Sequence, residues 1–193
     1  EPSGDPFNAI EFDPLTRRPY NPMVNAGAIA IAGILRDVHG DGAFGAVLTR
    51  FSEAAGRPLA MNEAVYSSEA ATGHRNRAIG HLLVGAGALA EPLDSALDLY
   101  FRQCSIEVTA ADLAVMGATI AHLGDNPITG RQVFDVAAVR DTQAVMFTCG
   151  MYDYSGNWAF DVGVPAKSGV GGGILGVVNR QLGIGTYSPR LDR

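Results

Sequence analysis

The sequence is short of lysine, cysteine and charge, and each shortage closes off a class of function. Lys167 is the only lysine among 193 residues, and the formal net charge is −6. Binding to a phosphate backbone draws on clustered Lys and Arg, so no nucleic-acid partner is expected. Two cysteines, Cys104 and Cys149, cannot build a disulfide framework. Both fall in helix-like stretches and read as buried thiols. Four histidines, His39, His74, His81 and His122, lack metal-ligand spacing, so no metal is expected. No run of about 18 apolar residues passes without polar breaks, so no membrane-spanning helix is expected. A Walker loop and a GxSxG elbow are both missing. The GVGGG run at 169–173 lies between two strand-like stretches, not between a strand and a helix as a dinucleotide fingerprint requires.

What is present describes a folded domain. Hydrophobic residues make up 47% and charged residues 18%, a globular balance, and the length suffices for one domain with a full core. Residues 1–22 hold Pro2, Gly4, Pro6, Pro14, Pro19 and Pro22, so they run extended or turning. Phe7, Ile10 and Phe12 give this stretch apolar anchors, which predicts an ordered loop. Residues 23–38 are apolar on nearly every face, as a buried helix is. Asn25 at its start is either a helix cap or a ligand contact. His39-Gly40-Asp41-Gly42 ends that helix, and residues 43–55 form another, with Phe44, Val47, Leu48 and Phe51 at helical spacing.

Ser67-Ser68-Glu69 reads as a helix start, Gly73 as a break and Asn76 as the opening of the next helix. By spacing alone Glu69 and Asn76 are surface caps. Glu91-Pro92 opens a helix with Leu93, Leu97 and Phe101 on its apolar stripe, with Pro92 in its first turn. Tyr100 beside that stripe reads as a core tyrosine. Thr109 and Asp112 form a capping-box pattern, with Leu113, Met116, Ile120 and Leu123 as the apolar face and Gly124 as the C′ residue. A turn follows at 126–130, and Asp135 caps a helix reaching Cys149. After Gly150 the period falls to two: residues 158–162, 173–178 and 182–187 are predicted strands of an antiparallel meander. Helices segregated from strands argue an α+β class. The organisation is one domain over 1–193: an ordered loop at 1–22, a mostly helical part at 23–150 and a strand-rich part at 151–193.

The densest chemistry lies in CGMYDYSGNWAFDVGVPAKSGVGGG, residues 149–173. Lys167-Ser168-Gly169 has the form of the Lys-Thr/Ser-Gly strand edge of serine β-lactamases and penicillin-binding proteins, whose partner is a Ser-x-x-Lys nucleophile. Together with PMVNAGA at 22–28, the Glu69 to Asn76 segment, LDLYFRQCSIEVT, the PITG turn, CGMYDYSG and PAKSGVGGG, the chain resembles the serine-dependent glutaminases, with their motifs in order over nearly its whole length. The resemblance implies a β-lactamase-like fold and hydrolysis of L-glutamine to L-glutamate and ammonia through a serine acyl-enzyme. It also implies no cofactor, a homo-oligomer (dimer or tetramer) and a cytoplasmic location.

Carried over by motif, the resemblance assigns Asn25, Glu69, Asn76, Tyr100 and Tyr152 to glutamine, and the Val170 backbone to the oxyanion hole, with Lys167, Ser168 and Gly169 in support. The residue types suit the substrate. Glu69 offers an anion to the α-ammonium, and a buried Glu lacking a cation would be relieved by it. Asn25, Asn76 and Tyr100 offer amide and hydroxyl partners to the carboxylate and side-chain amide. Tyr152 can relay a serine proton as general base and then acid. A backbone N–H aimed at the oxyanion is worth about 3 kcal/mol.

One element of the pattern is missing. The only Ser-x-x-Lys register would need serine at 164, where the residue is Val. The reading is therefore an internal piece of such an enzyme, lacking the attacking group and the C-terminal end, inactive by itself and with apolar surface and sheet edge exposed. Two alternatives stay open: a β-lactamase or penicillin-binding-protein relative, and a non-catalytic glutamine-binding or scaffold module.

Overall fold

A computed structural model describes residues 9–189; Pro2, Gly4, Pro6 and the expected anchor Phe7 lie outside that range. Helices come first and strands last, in two compact units.

The first unit comprises Glu1–Leu48 and Ala60–Glu107. It holds α1 (Asn25–His39), the start of α2 (Ala43–Ala55), α3 (Glu63–Thr72), α4 (His74–Ala86) and α5 (Leu93–Cys104). Ile29, Ala32, Leu83 and Ala96 are fully buried where α1, α4 and α5 meet. Small residues on α1 allow that close approach. The helix is not buried all round, however: Ile31, Ile34 and Val38 are 41%, 60% and 69% exposed and share one face. The loop before α1 is ordered by Asp13, whose carboxylate accepts the Leu15 and Thr16 N–H groups at 3.0 and 2.6 Å. Phe12 packs on the core, whereas Ile10 is exposed.

Four helix starts differ from the sequence reading. The α4 helix opens at His74, two residues before Asn76, with Gly73 as its N-cap. Val24, not Asn25, is the N-cap of α1. Ser67-Ser68-Glu69 lies inside α3, which starts four residues earlier because Asn62 accepts the N–H groups of Ala64 and Val65. Pro92 is the N-cap of α5 rather than part of its first turn, and the Glu91 carboxylate accepts the Leu93 N–H at 2.7 Å. Cys104 at the end of α5 is exposed, contrary to its reading as a buried thiol; Cys149 is buried as expected.

The second unit comprises Thr49–Leu59 and Val108–Arg193, with α6 (Ala110–Ala121), α7 (Val136–Cys149), α8 (Ser155–Asp161) and an antiparallel sheet in the order β1 (Ala166–Ser168), β2 (Gly173–Val178), β3 (Leu182–Tyr187). Lys167 pairs with Leu175, and Leu175 with Gly185. The α6 helix lies directly on β3. A Cβ at Gly183 would come within 2.0 Å of the Ala118 nitrogen, and one at Gly185 within 2.0 Å of the Ala110 carbonyl, so only glycine permits this contact. The capping box is complete: Thr109 and Asp112 exchange side-chain-to-backbone hydrogen bonds. Arg57 holds the same carboxylate through two contacts of 2.6 Å. The helix ends on Leu123 in the left-handed conformation (φ 60°), so Leu123 is the C′ residue and Gly124 follows it. Their N–H groups bond to Ile120 and Thr119 as in a Schellman motif.

Residues 158–162 are not a strand. Residues 158–161 belong to α8, which follows a 3₁₀ turn at Tyr152–Tyr154, and Val162 is its C-cap. The alternation misled because Phe160 points to solvent, 91% exposed, while the Trp158 indole donates to the Val164 carbonyl at 2.7 Å. Gly163 at φ 71° closes the helix. The first strand of the meander is β1, which carries Lys167 and Ser168.

Candidate active site

In the first unit, α1, α3, α4 and α5 each deliver one of the expected polar side chains. Asn25 occupies the first turn of α1 and Asn76 that of α4. Although 51 residues apart, they meet: the Asn25 amide donates to Asn76 Oδ1 at 2.7 Å. The cap reading of Asn25 is thereby replaced, since its side chain is used across the unit and not on its own helix. Glu69 lies in α3 and is exposed. It is therefore not a buried carboxylate that a substrate cation would relieve.

Tyr100 is 8% exposed on α5, with its ring edge-on to Phe101 at 5.7 Å. One helical turn on, Cys104 joins this group, a residue the sequence reading left out. Desolvation raises the Cys104 thiol above its ordinary range, a hydrogen bond from Tyr100 opposes that, and the Glu69 charge adds to it. The residue is exposed, yet enough protein surrounds its sulfur to disfavour the thiolate. Tyr100 and Cys104 at i and i+4 on one helix was the signal available in the sequence.

Gly73 shapes the α3–α4 junction. A Cβ there would lie 2.6 Å from the Phe101 ring and 2.7 Å from the Glu69 carbonyl. The two helices can therefore turn tightly over Phe101, with Glu69 before the turn and Asn76 after it.

The second unit holds Tyr152, Lys167, Ser168, Gly169 and Val170. Tyr152 starts the 3₁₀ turn with φ 55°, a left-handed conformation that costs a non-glycine residue roughly 1–3 kcal/mol and concentrates at functional sites. The Lys167 ammonium sits 4.1 Å from the centroid of the Tyr152 ring and donates to the Ser168 carbonyl. Burial holds Lys167 down to about 8, with the nearby Cys149 acting in the opposite direction. Burial likewise raises the Tyr152 hydroxyl, so at neutral pH it is a protonated donor. Beyond β1 the chain makes a tight turn, with the Gly172 N–H on the Gly169 carbonyl at 2.9 Å and the Gly169 N–H on the Gly173 carbonyl at 2.8 Å. Val170 stands at its tip, 72% exposed.

Among the described residues no group of His, Cys, Asp and Glu could hold a metal ion, and no helix is long and apolar enough to cross a membrane. Helices followed by a small antiparallel sheet, whose first strand carries a lysine and leads into a glycine turn, are the architecture of a β-lactamase-like fold. A sequence model of the glutaminase family matches residues 1–193, and the chain belongs to that family.

Its relatives agree. Glutaminase 1 of Bradyrhizobium diazoefficiens is 53% identical over 193 residues, which are all of this chain and 31% of that protein. Glutaminase of Trichormus variabilis is 48% identical, again over the whole chain and 58% of the relative. The chain thus spans 31% to 58% of the length of these curated relatives. The crystal structure of a probable glutaminase of Bacillus subtilis superposes with a TM-score of 0.91 at 38% identity, over 100% of this chain and 66% of that one. The crystal structure of Mglu in its glutamate form gives 0.89 at 38% identity, over 97% and 45%.

Proposed function

We propose that the protein containing this chain hydrolyses L-glutamine to L-glutamate and ammonia through a serine acyl-enzyme, as a cytoplasmic homo-oligomer with no cofactor. The observation that carries the reading is the meeting of Asn25 and Asn76 at 2.7 Å from two separate helices, beside a family match over the full chain. In this reading Glu69 takes the α-ammonium, and Asn25, Asn76 and Tyr100 take the carboxylate and side-chain amide. The Val170 N–H receives the oxyanion, a contribution of about 3 kcal/mol for one such donor.

Tyr152 relays the nucleophile's proton. Its hydroxyl is protonated at rest, so it accepts only as its own proton moves on. The Lys167 cation on its ring face favours the negative charge that develops. Ser168 and Gly169 set the strand edge that leads into the Val170 turn. The serine and lysine of a Ser-x-x-Lys pair are not among these 193 residues, whose single lysine is Lys167. All 193 residues belong to one functional domain in this proposal.

Ammonia release from L-glutamine by the full-length protein tests it. Turnover that falls by about 10²-fold or more in Tyr152→Phe, as loss of a general acid–base group does, supports the reading. Full turnover in that variant sinks the relay. The 193-residue chain alone is expected to release no ammonia.

A further inference from the structure

The α3 helix carries Glu69 yet buries none of its own residues. Its grip on the rest of the unit comes from Tyr66 and Ala70, both only partly buried against the core. A helix held this loosely by apolar packing takes its position from its polar contacts, and Tyr66 makes the one that reaches a carboxylate on α5. Its hydroxyl donates to Asp98 Oδ1 on α5 at 2.5 Å. Asp98 in turn faces Arg102, with Oδ2 2.8 Å from Nε, a close charge contact rather than an aligned hydrogen bond. The Arg102 guanidinium lies over the Tyr66 ring at 5.5 Å and the Phe44 ring at 5.6 Å, which fixes the ring that carries the hydroxyl. On the far side, Arg77 of α4 donates to the Ala70 carbonyl and lies over Phe101 at 5.4 Å. An open groove of about 230 Å³ is lined by Tyr66, Ala70, Arg77, Asp98 and Phe101, so side-chain packing beside these bonds is incomplete.

Tyr66 and Glu69 stand at i and i+3, neighbours on one helix face. A shift of the Tyr66 end therefore carries the Glu69 carboxylate with it. We propose that Tyr66 and Asp98 are positioning residues for Glu69: their hydrogen bond sets where α3 presents the carboxylate and so how strongly the substrate's α-ammonium is recognised. The proposal rests on the reading that Glu69 binds that ammonium.

The test uses the full-length protein and two substrates, L-glutamine and 4-carbamoylbutanoate, which is glutamine without its α-amino group. The unsubstituted protein is expected to prefer L-glutamine, and Glu69→Gln to abolish the preference. Tyr66→Phe keeps the ring and its arginine contact and removes only the hydroxyl. It should raise KM for L-glutamine by about tenfold, the scale of one charge-assisted hydrogen bond, with kcat largely retained and the preference narrowed. Asp98→Ala should behave in the same way, and it reads the same bond if Tyr66→Phe is unfolded by circular dichroism. Asp98→Asn leaves an acceptor oxygen for Tyr66 and should restore the preference. Full preference for L-glutamine in folded Tyr66→Phe or Asp98→Ala overturns the proposal while leaving the assigned reaction intact. Turnover of L-glutamine whose preference survives Glu69→Gln overturns the ammonium assignment and the proposal with it. No turnover of L-glutamine by the unsubstituted protein overturns the reading beneath both.

Discussion

At the scale of single residues, Lys167 is the most exposed to test. Burial disfavours its charged form, so its folded pKa of about 8 lies below the ordinary 10.5. The sign follows: below about 8 the ammonium is charged in both folded and unfolded chains and its burial penalty is fully present. Between about 8 and 10.5 the folded amine is neutral while the unfolded one is still charged, so stability rises with pH. NMR of ¹³Cε-labelled lysine in the full-length protein should show a resonance titrating near 8 that is missing from Lys167→Arg and moves towards 10.5 in denaturant. A native midpoint near 10.5 would contradict the burial argument. Cys104 makes a different point. Sequence alone assigned both cysteines to the interior, and only the fold set this one open at the end of α5 beside Tyr100.

Among elements, the α3–α4 junction and the α6 cap carry the sharpest expectations. Gly73→Ala drives a methyl into the Phe101 ring and the Glu69 carbonyl. Backbone cannot yield as a side-chain tip can, so α3 must shift, at a cost of about 1–3 kcal/mol for an overpacked site. The expected outcome is a lower Tm together with a raised KM for L-glutamine in the full-length protein. A drop in Tm with unchanged KM would separate the junction from substrate binding.

On α6, the Arg57 guanidinium first, and the Thr109 backbone and hydroxyl after it, hold the Asp112 carboxyl well below the usual carboxylate range. A depressed folded value contributes stability that is complete above the unfolded pKa of about 3.9 and is lost as pH falls through the folded one. Tm measured from pH 6 downwards should therefore fall more steeply in the unsubstituted protein than in Asp112→Asn. Parallel curves would remove Asp112 as a source of acid sensitivity.

For the whole molecule, the family is glutaminase, and activity decides whether the Lys-Ser/Thr-Gly strand edge shared with penicillin-recognising enzymes also serves their reaction. On the proposed reading Glu69, Asn25 and Asn76 hold a free amino acid. The full-length protein is therefore expected to turn over L-glutamine and leave nitrocefin intact, as followed by its colour change; the reverse result would overturn the proposed reaction. The organisation itself was partly legible. Boundaries of α2, β2 and β3 match the sequence reading: Gly42 and Gly56 bracket α2, and the polar run Asn179-Arg180-Gln181 separates β2 from β3. The 158–162 stretch failed because five residues of alternation are also consistent with one exposed phenylalanine on a short helix, and nothing local shows that Phe160 faces water.

The sequence by itself determined the helical and strand-rich order, the Thr109/Asp112 cap, the Asp135 cap and, through its motifs in order, the family. These are local or pattern properties, carried by residues a few positions apart. Tertiary structure decided the rest. It chose the partner of Asn25, set the Lys167 ammonium on the Tyr152 ring and tied α3 to α5 through Tyr66 and Asp98. Those contacts join residues from 15 to 51 positions apart. No periodicity encodes such distances, because they are fixed only when helices pack and a glycine such as Gly73 lets two backbones come close.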